Sequence, residues 1–143
     1  MNGKDVMNLT RLVYYSQSAP SATIDIADLM KTCQQNNAKM NVTGMLQYDG
    51  RAFLQVLEGG RAEVSEIYHR IAADPRHTNL ILIDCSDVRE RMFPTWSLAL
   101  HEGMDDATKS VFLRYFATPQ INPEVVSVES LLDLLQDLSV EQG

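Results

Sequence analysis

The run Ala52-Phe53-Leu54-Gln55-Val56-Leu57 sets one amide among apolar, strand-forming residues. Burying an unpaired amide costs about 1 to 3 kcal/mol, so specific partners should meet both ends of Gln55. An amide head carries a donor and an acceptor, so it can donate to one neighbour and accept from another. The rest of the chain offers little for group transfer. It contains no Gly-rich phosphate loop, nucleophile elbow or paired catalytic carboxylates, and Ser97 has no identifiable base partner. Cys33 and Cys85 lie far apart without metal-ligand spacing, so no metal site is expected and both are read as thiols.

The elements that must position Gln55 follow from periodicity. Leu9 to Ser16 is rich in β-formers and alternates, with Leu12, Tyr14 and Ser16 on one face and Arg11, Val13 and Tyr15 on the other. After a loop around Pro20, Ile26, Leu29, Met30 and Cys33 recur at helical spacing to about Asn37. Val42 to Tyr48 and Ala52 to Leu57 flank Asp49-Gly50, which predicts an antiparallel hairpin. A second helix carries Val64, Ile67, Tyr68 and Ile71 and stops at Asp74-Pro75. Leu80 to Ile83 reads as a fourth strand, a charged turn with Arg89-Glu90-Arg91 follows, and Trp96 to Leu100 reads as a fifth.

The order βαββαββ predicts an α+β, ferredoxin-like sheet with both helices on one face and the first and third strands central. In that arrangement Tyr14 and Gln55 face each other beneath the helices. Two further helical segments, Asp105 to Ala117 and Val126 to Leu138, form a C-terminal extension over residues 101–143, beyond a domain at 9–100. The last carries Val128, Leu131, Leu132, Leu135 and Leu138 on one stripe. Such a stripe must dock, either on the sheet face left open by the first two helices or on another subunit.

A chain of 143 residues, 45% apolar and 22% charged, fits one globular domain. Apolar runs are strand-sized, and Met1 to Thr10 lacks the basic start and apolar segment of a secretory signal. A cytoplasmic protein is expected, with no membrane partner. A net charge of −7 with no basic stretch argues against nucleic-acid binding.

With these residues placed, the chain from about Leu9 to Leu100 resembles a BLUF domain, the bacterial family of blue-light photoreceptors that use FAD. The resemblance rests on Arg11-Leu12-Val13-Tyr14-Tyr15-Ser16, Asn36-Asn37-Ala38 followed by Val42-Thr43-Gly44-Met45-Leu46, Phe53-Leu54-Gln55-Val56-Leu57-Glu58-Gly59, Asp74-Pro75-Arg76-His77, and Arg91-Met92-Phe93-Pro94-Thr95-Trp96-Ser97. Two residues after Trp96, where the family usually has methionine, stands Leu98. Leucine keeps most of that volume but lacks the thioether, which bears on any relay from Gln55 to the fifth strand.

The resemblance implies non-covalent FAD, with Tyr14 as electron and proton donor and Gln55 as the switching amide. It places Trp96 and Leu98 beside that switch, Asn36 and Asn37 at the ring's polar edge, and Arg70, Asp74, Arg76 and His77 near ring edge, ribityl chain or phosphates. Ile26, Met30, Ile67 and Ile71 are expected to wall the ring. Bland readings stand beside these. Asn36-Asn37 can simply end a helix, Arg70 and His77 can compensate its dipole, Trp96 can be a core anchor and Cys33 an inert buried thiol. The implied output is contact with a separate signalling protein, such as a response regulator or a cyclic-dinucleotide phosphodiesterase, from a homo-oligomer. Deleting Val126 to Gly143 is expected to spare the light reaction while removing or altering partner binding. A flavin-binding redox or ligand sensor without light output is the alternative, and a ferredoxin-like hydrolase is supported by fold analogy alone.

Overall fold

The computed structural model describes residues 9–20 and 23–142, with side chains described through Ser139. Most of the N-terminal stretch read for a signal, and Ser21 and Ala22 of the loop after Pro20, lie outside the described residues. The elements are β1 (Leu9–Ser18), α1 (Ile26–Lys39), β2 (Thr43–Tyr48), β3 (Ala52–Gly60), α2 (Arg61–Ala73), β4 (His77–Val88), β5 (Ala99–Glu102), α3 (Asp106–Tyr115) and α4 (Val128–Gln142). They form one sheet ordered β4-β1-β3-β2-β5, antiparallel except that β5 runs parallel to β2. The expected ferredoxin-like α+β core, with β1 and β3 central, is the observed one.

Local chemistry sets the element ends. Asp49 accepts from the backbone N–H groups of Arg51 (2.9 Å) and Ala52 (2.8 Å), and Gly50 takes φ +97°, which closes the β2–β3 hairpin. Gly44 lies so close to β3 that a Cβ there would sit 2.0 Å from the Val56 carbonyl oxygen. Asp25 caps α1 by accepting from the N–H of Asp28 at 3.1 Å. At its other end the left-handed residue is Asn41 (φ 55°), while the Asn37 carbonyl accepts from the N–H of Val42 at 2.9 Å. The asparagine that turns the chain out of the helix is therefore Asn41, which leaves the side chains of Asn36 and Asn37 available for other work.

Two strand readings need correction. The fourth strand is not Leu80 to Ile83 but spans His77–Val88. It is an edge strand bonded only to β1, with no residue fully buried, so its polar end Asp84-Cys85-Ser86-Asp87 lacks the alternation that reveals half-buried strands. The fifth strand starts at Ala99 rather than Trp96. Residues 94–98 stay irregular because their carbonyls bond elsewhere: Trp96 to the N–H of Gly44 (3.4 Å), Ser97 to Asn37 Nδ2 (2.9 Å) and Leu98 to Gln34 Nε2 (3.0 Å).

The two sheet faces bury different cores. Val13, Met45, Leu54 and Val56 meet Phe93, Phe112 and the α4 residues Leu131, Leu134, Leu135 and Leu138 on one face. The C-terminal helices thus cover the face opposite α1 and α2. Burying four leucines is worth about 6 to 12 kcal/mol, so removing Val126 to Gly143 would uncover the core rather than delete a free contact arm. On the other face the core divides in two. Leu12, Tyr14, Leu57, Val64, Ile67 and Ile71 pack under α2, while Leu29, Met30, Leu46, Phe53 and Leu98 pack under α1.

Candidate functional site

Between those two clusters α1 and α2 part, leaving a cleft that is open to solvent on one side. Its floor is the sheet: Tyr14 from β1, Leu46 from β2, and Phe53 and Gln55 from β3, which share a face by strand alternation. One wall is α1 with Leu29, Thr32, Cys33, Asn36 and Asn37; the other is α2 with Ile67, Arg70, Ile71 and the following Asp74, Arg76 and His77.

Tyr14 and Gln55 are directly opposite in the β1–β3 register, and the Tyr14 hydroxyl donates to Gln55 Oε1. Both are buried, Tyr14 at 1% exposure and Gln55 at 2%. Burial drives the Tyr14 phenol well above its ordinary pKa, and the nearby acidic groups, of which Asp74 is the ionised one at neutral pH, act in the same direction, so it holds its proton at neutral pH and acts as donor. The Gln55 amide nitrogen has no hydrogen-bond partner among the described residues, yet no buried side-chain nitrogen or oxygen there is left unpaired. That nitrogen is therefore open to the cavity.

Asn37 behaves similarly. Its Nδ2 donates to the Ser97 carbonyl at 2.9 Å, and its Oδ1 has no hydrogen-bond partner among the described residues. A free amide donor and a free amide acceptor thus line a cavity whose surface is otherwise largely aromatic and aliphatic. Phe53 stacks on Tyr48 (centroids 4.4 Å apart, planes at 18°) and meets the His77 ring at 4.6 Å. This donor set suits a flat, mostly apolar ring with polar atoms along one edge, the shape of a flavin.

At the mouth, Arg76 forks onto Asp74, with Nη2 to Oδ2 at 2.7 Å and Nε to Oδ1 at 3.0 Å. The Arg76 guanidinium holds the Asp74 carboxyl below its ordinary value, and Asp74 raises Arg76 in turn. His77 opens β4 rather than ending α2, and its Nδ1 lies 2.8 Å from Ser16 Oγ. Burial lowers its pKa, favouring the neutral ring. Burial likewise raises the Cys33 thiol, so it lines the cavity protonated. Arg70 stands half-exposed at the rim, paired one turn back with Glu66.

The structure gathers Tyr14, Asn36, Asn37, Gln55, Ile67, Arg70, Ile71, Asp74, Arg76 and His77 around one space. It does not bring Ile26, Met30, Trp96 or Leu98 to the lining. Ile26 and Met30 pack in the cluster with Leu98 and Leu100, because the cavity-facing row of α1 is Leu29, Thr32, Cys33 and Asn36, about 100° round the helix from Met30. Leu98 is a buried member of that cluster, 2% exposed, and Trp96 is 41% exposed on the loop before β5. Trp96 is therefore no core anchor.

Sequence reasoning missed Leu29, Thr32, Leu46 and Phe53 as cavity residues. Phe53 shares a face with Gln55 by simple alternation, and Leu46 lies opposite Gln55 across the hairpin, so both were within reach. Thr32 was hidden because a polar residue drops out of an apolar stripe. Glu58 was also missed as a structural centre. It is fully buried and accepts from Arg11 Nε (2.8 Å) and the backbone N–H groups of Met92 (3.0 Å) and Phe93 (2.8 Å), fixing the start of the loop that reaches Asn37.

Comparison with known proteins agrees with this geometry. Residues 9–99 match the family model described as BLUF, sensors of blue-light using FAD. A photoactivated adenylate cyclase subunit beta of Euglena longa is 36% identical over 92 residues, covering 63% of this chain and 11% of that protein. The blue light- and temperature-regulated antirepressor BluF of Escherichia coli K12 is 34% identical over 110 residues, covering 73% of this chain and 27% of that protein. The chain thus spans only a small part of the length of these curated relatives. The solved photo-activated state of BlsA superposes with a TM-score of 0.81 at 26% identity, covering 91% of this chain and 94% of that one.

Proposed function

From the premise that this chain belongs to the BLUF family, sensors of blue light using FAD, we propose that the cavity between α1 and α2 holds FAD non-covalently and that Tyr14 and Gln55 form the light-driven switch. The observation that carries this reading is the Tyr14–Gln55 hydrogen bond with the Gln55 amide nitrogen left open to the cavity. Leu29, Leu46, Phe53, Ile67 and Ile71 would wall the ring, and Gln55 and Asn37 would meet its polar edge. Asn36 stands beside them, while Arg70, Arg76 and Asp74 lie at the mouth, where a polar tail leaves.

Bound flavin supplies absorption of blue light and an excited state able to accept an electron. Tyr14 is the donor: its phenol is protonated, sealed from water and already bonded to Gln55. Loss and return of the Tyr14 electron and proton break and remake that bond. Gln55, with an acceptor toward Tyr14 and a donor toward the cavity, ends in a rearranged pattern, by rotation or tautomerisation. The changed contacts are then available to the Asn37–Ser97 link and to the loop before β5.

The chain acts in this reading as a sensor rather than an enzyme. One relative is named as a cyclase subunit and another as an antirepressor, so light reaches different effectors in different relatives. Here the output passes to a separate cytoplasmic protein, such as a response regulator or cyclic-dinucleotide phosphodiesterase, from a homo-oligomer. Among the described residues no helix is long and apolar enough to cross a membrane. The test is an absorption spectrum of the purified protein in darkness and after a blue flash. A flavin spectrum moving reversibly to the red without bleaching is expected. A static spectrum would replace the switch with a redox or ligand sensor.

A further inference from the structure

On the sheet face away from the cavity, a second buried glutamine stands beside the first. Gln47 follows Leu46 on β2 and is 3% exposed. Leu46 pairs with Gln55 and lines the cavity, so Gln47 faces the other way, toward the C-terminal helices. Its Nε2 donates to the Gly103 carbonyl at 2.9 Å, which turns its Oε1 to His101 Nδ1 on β5, its partner in the parallel ladder. A carbonyl oxygen only accepts, so His101 carries a proton on Nδ1. The other ring nitrogen, Nε2, lies 3.4 Å from Thr108 Oγ1, and that hydroxyl is 2.7 Å from the Asp105 carboxylate that caps α3. A chain of side-chain contacts thus runs from β2 through β5 to the first turn of α3.

We infer that Gln47 is the positioning residue that couples the cavity floor to the start of α3. The inference rests on the proposed light switch for its signal, but its static half, that Gln47 holds β5 and α3 in register with β2, does not. A side chain on β2 has neighbours one residue away on the opposite face. A displacement of Leu46 by Gln55 is therefore shared by Gln47, whose two bonds, to His101 on β5 and to Gly103 just after it, leave it no independent position. Thr108, itself 2% exposed, passes the change to the helix cap.

The test is hydrogen exchange of the FAD-loaded chain, followed by mass spectrometry over residues 99–115, in darkness and under blue light. Gln47→Met keeps the volume and removes both bonds; Gln47→Glu keeps an oxygen for His101. Gln47→Met should speed dark exchange at the start of α3 on the order of thirtyfold, as loss of two hydrogen bonds implies. It should leave the flavin absorbance shift intact and erase the light-minus-dark difference there, and Gln47→Glu should restore much of it. Unchanged dark exchange in Gln47→Met, or a light-minus-dark difference of wild-type size, would overturn the inference. Should Gln47→Met not fold, Thr108→Val, which removes only the bridging hydroxyl, must show the same loss. A wild-type flavin that never moves to the red would refute the Tyr14–Gln55 switch, while dark exchange would still decide whether Gln47 holds α3.

Discussion

Removing the Glu58 carboxylate is the sharpest test of how the loop before β5 is held. The Glu58 side chain is fully buried and takes three charge-assisted or buried N–H bonds, from Arg11, Met92 and Phe93. Glu58→Ala leaves the Phe93 N–H without an acceptor and Arg11, 13% exposed, without its counter-ion. Breaking one side of a buried ion pair costs about 3 to 5 kcal/mol. Arg11 can still reach some water, which argues for the lower end, about 3 kcal/mol. Glu58→Gln keeps one acceptor oxygen but sets an NH₂ against donors, so about 2 kcal/mol is expected. Urea unfolding in the dark reads both values, and the alanine variant should melt roughly 10 °C lower. The loop anchored by Glu58 also carries Ser97 to Asn37, so both variants should shift the dark flavin absorbance slightly. Losses below about 1 kcal/mol in both variants would show that the apolar packing of Phe93, not the carboxylate, holds the loop.

Three further outcomes follow. Tyr14→Phe should retain bound flavin and lose the red-shifted state, because the phenolic proton is gone; a normal light reaction in that variant refutes Tyr14 as donor. Leu98→Met inserts a flexible thioether into a buried apolar cluster and should cost less than about 1.5 kcal/mol in stability. A changed dark-recovery time in that variant would show that position 98 tunes the return, and an unchanged time would place the relay elsewhere. Because His77 binds fewer protons folded than unfolded, its contribution is complete above its ordinary value of 6.5 and falls away as pH drops through its depressed folded value. Asp74 has the same sign lower down, below its ordinary 3.8. Urea midpoints measured between pH 7.5 and 5 should decline, and His77→Gln should flatten that decline; an unaltered slope would remove His77 as its source.

The central sheet was legible because its alternation is strong. Tyr14 and Gln55 lie on like faces of strands whose hairpin is fixed by Asp49-Gly50, and their pairing followed from strand order. The edges were less legible. β4 is exposed along one side and carries Asp84 and Asp87, so neither hydrophobic period nor β-propensity marks its end. Trp96 suggested a strand, but carbonyl bonds to Gly44, Asn37 and Gln34 hold residues 96–98 in a loop that no local pattern encodes. The cavity was half visible: strand-floor and α2 residues obey simple spacing, whereas the α1 wall is turned by packing of Ile26 and Met30 against Leu98. Gln47 and Glu58 could be read from sequence only as polar residues inside strands, since their side-chain partners lie 34 or more positions away.

The long edge strand has a consequence for assembly. β4 departs from regular pairing with β1 at two places, between Val13 and Tyr14 and between Tyr15 and Gln17, and Asn79 there takes φ 52°. Bulges, a left-handed residue and the carboxylates of Asp84 and Asp87 make a poor template for another strand. The opposite border, β5, has only four residues. Copies of this chain are thus steered away from joining edge to edge as a continuous sheet, which leaves the helical surfaces for any assembly. Contacts between copies would then fall on the layers packed on the two sheet faces, the same helices that wall the cavity and cover the opposite core.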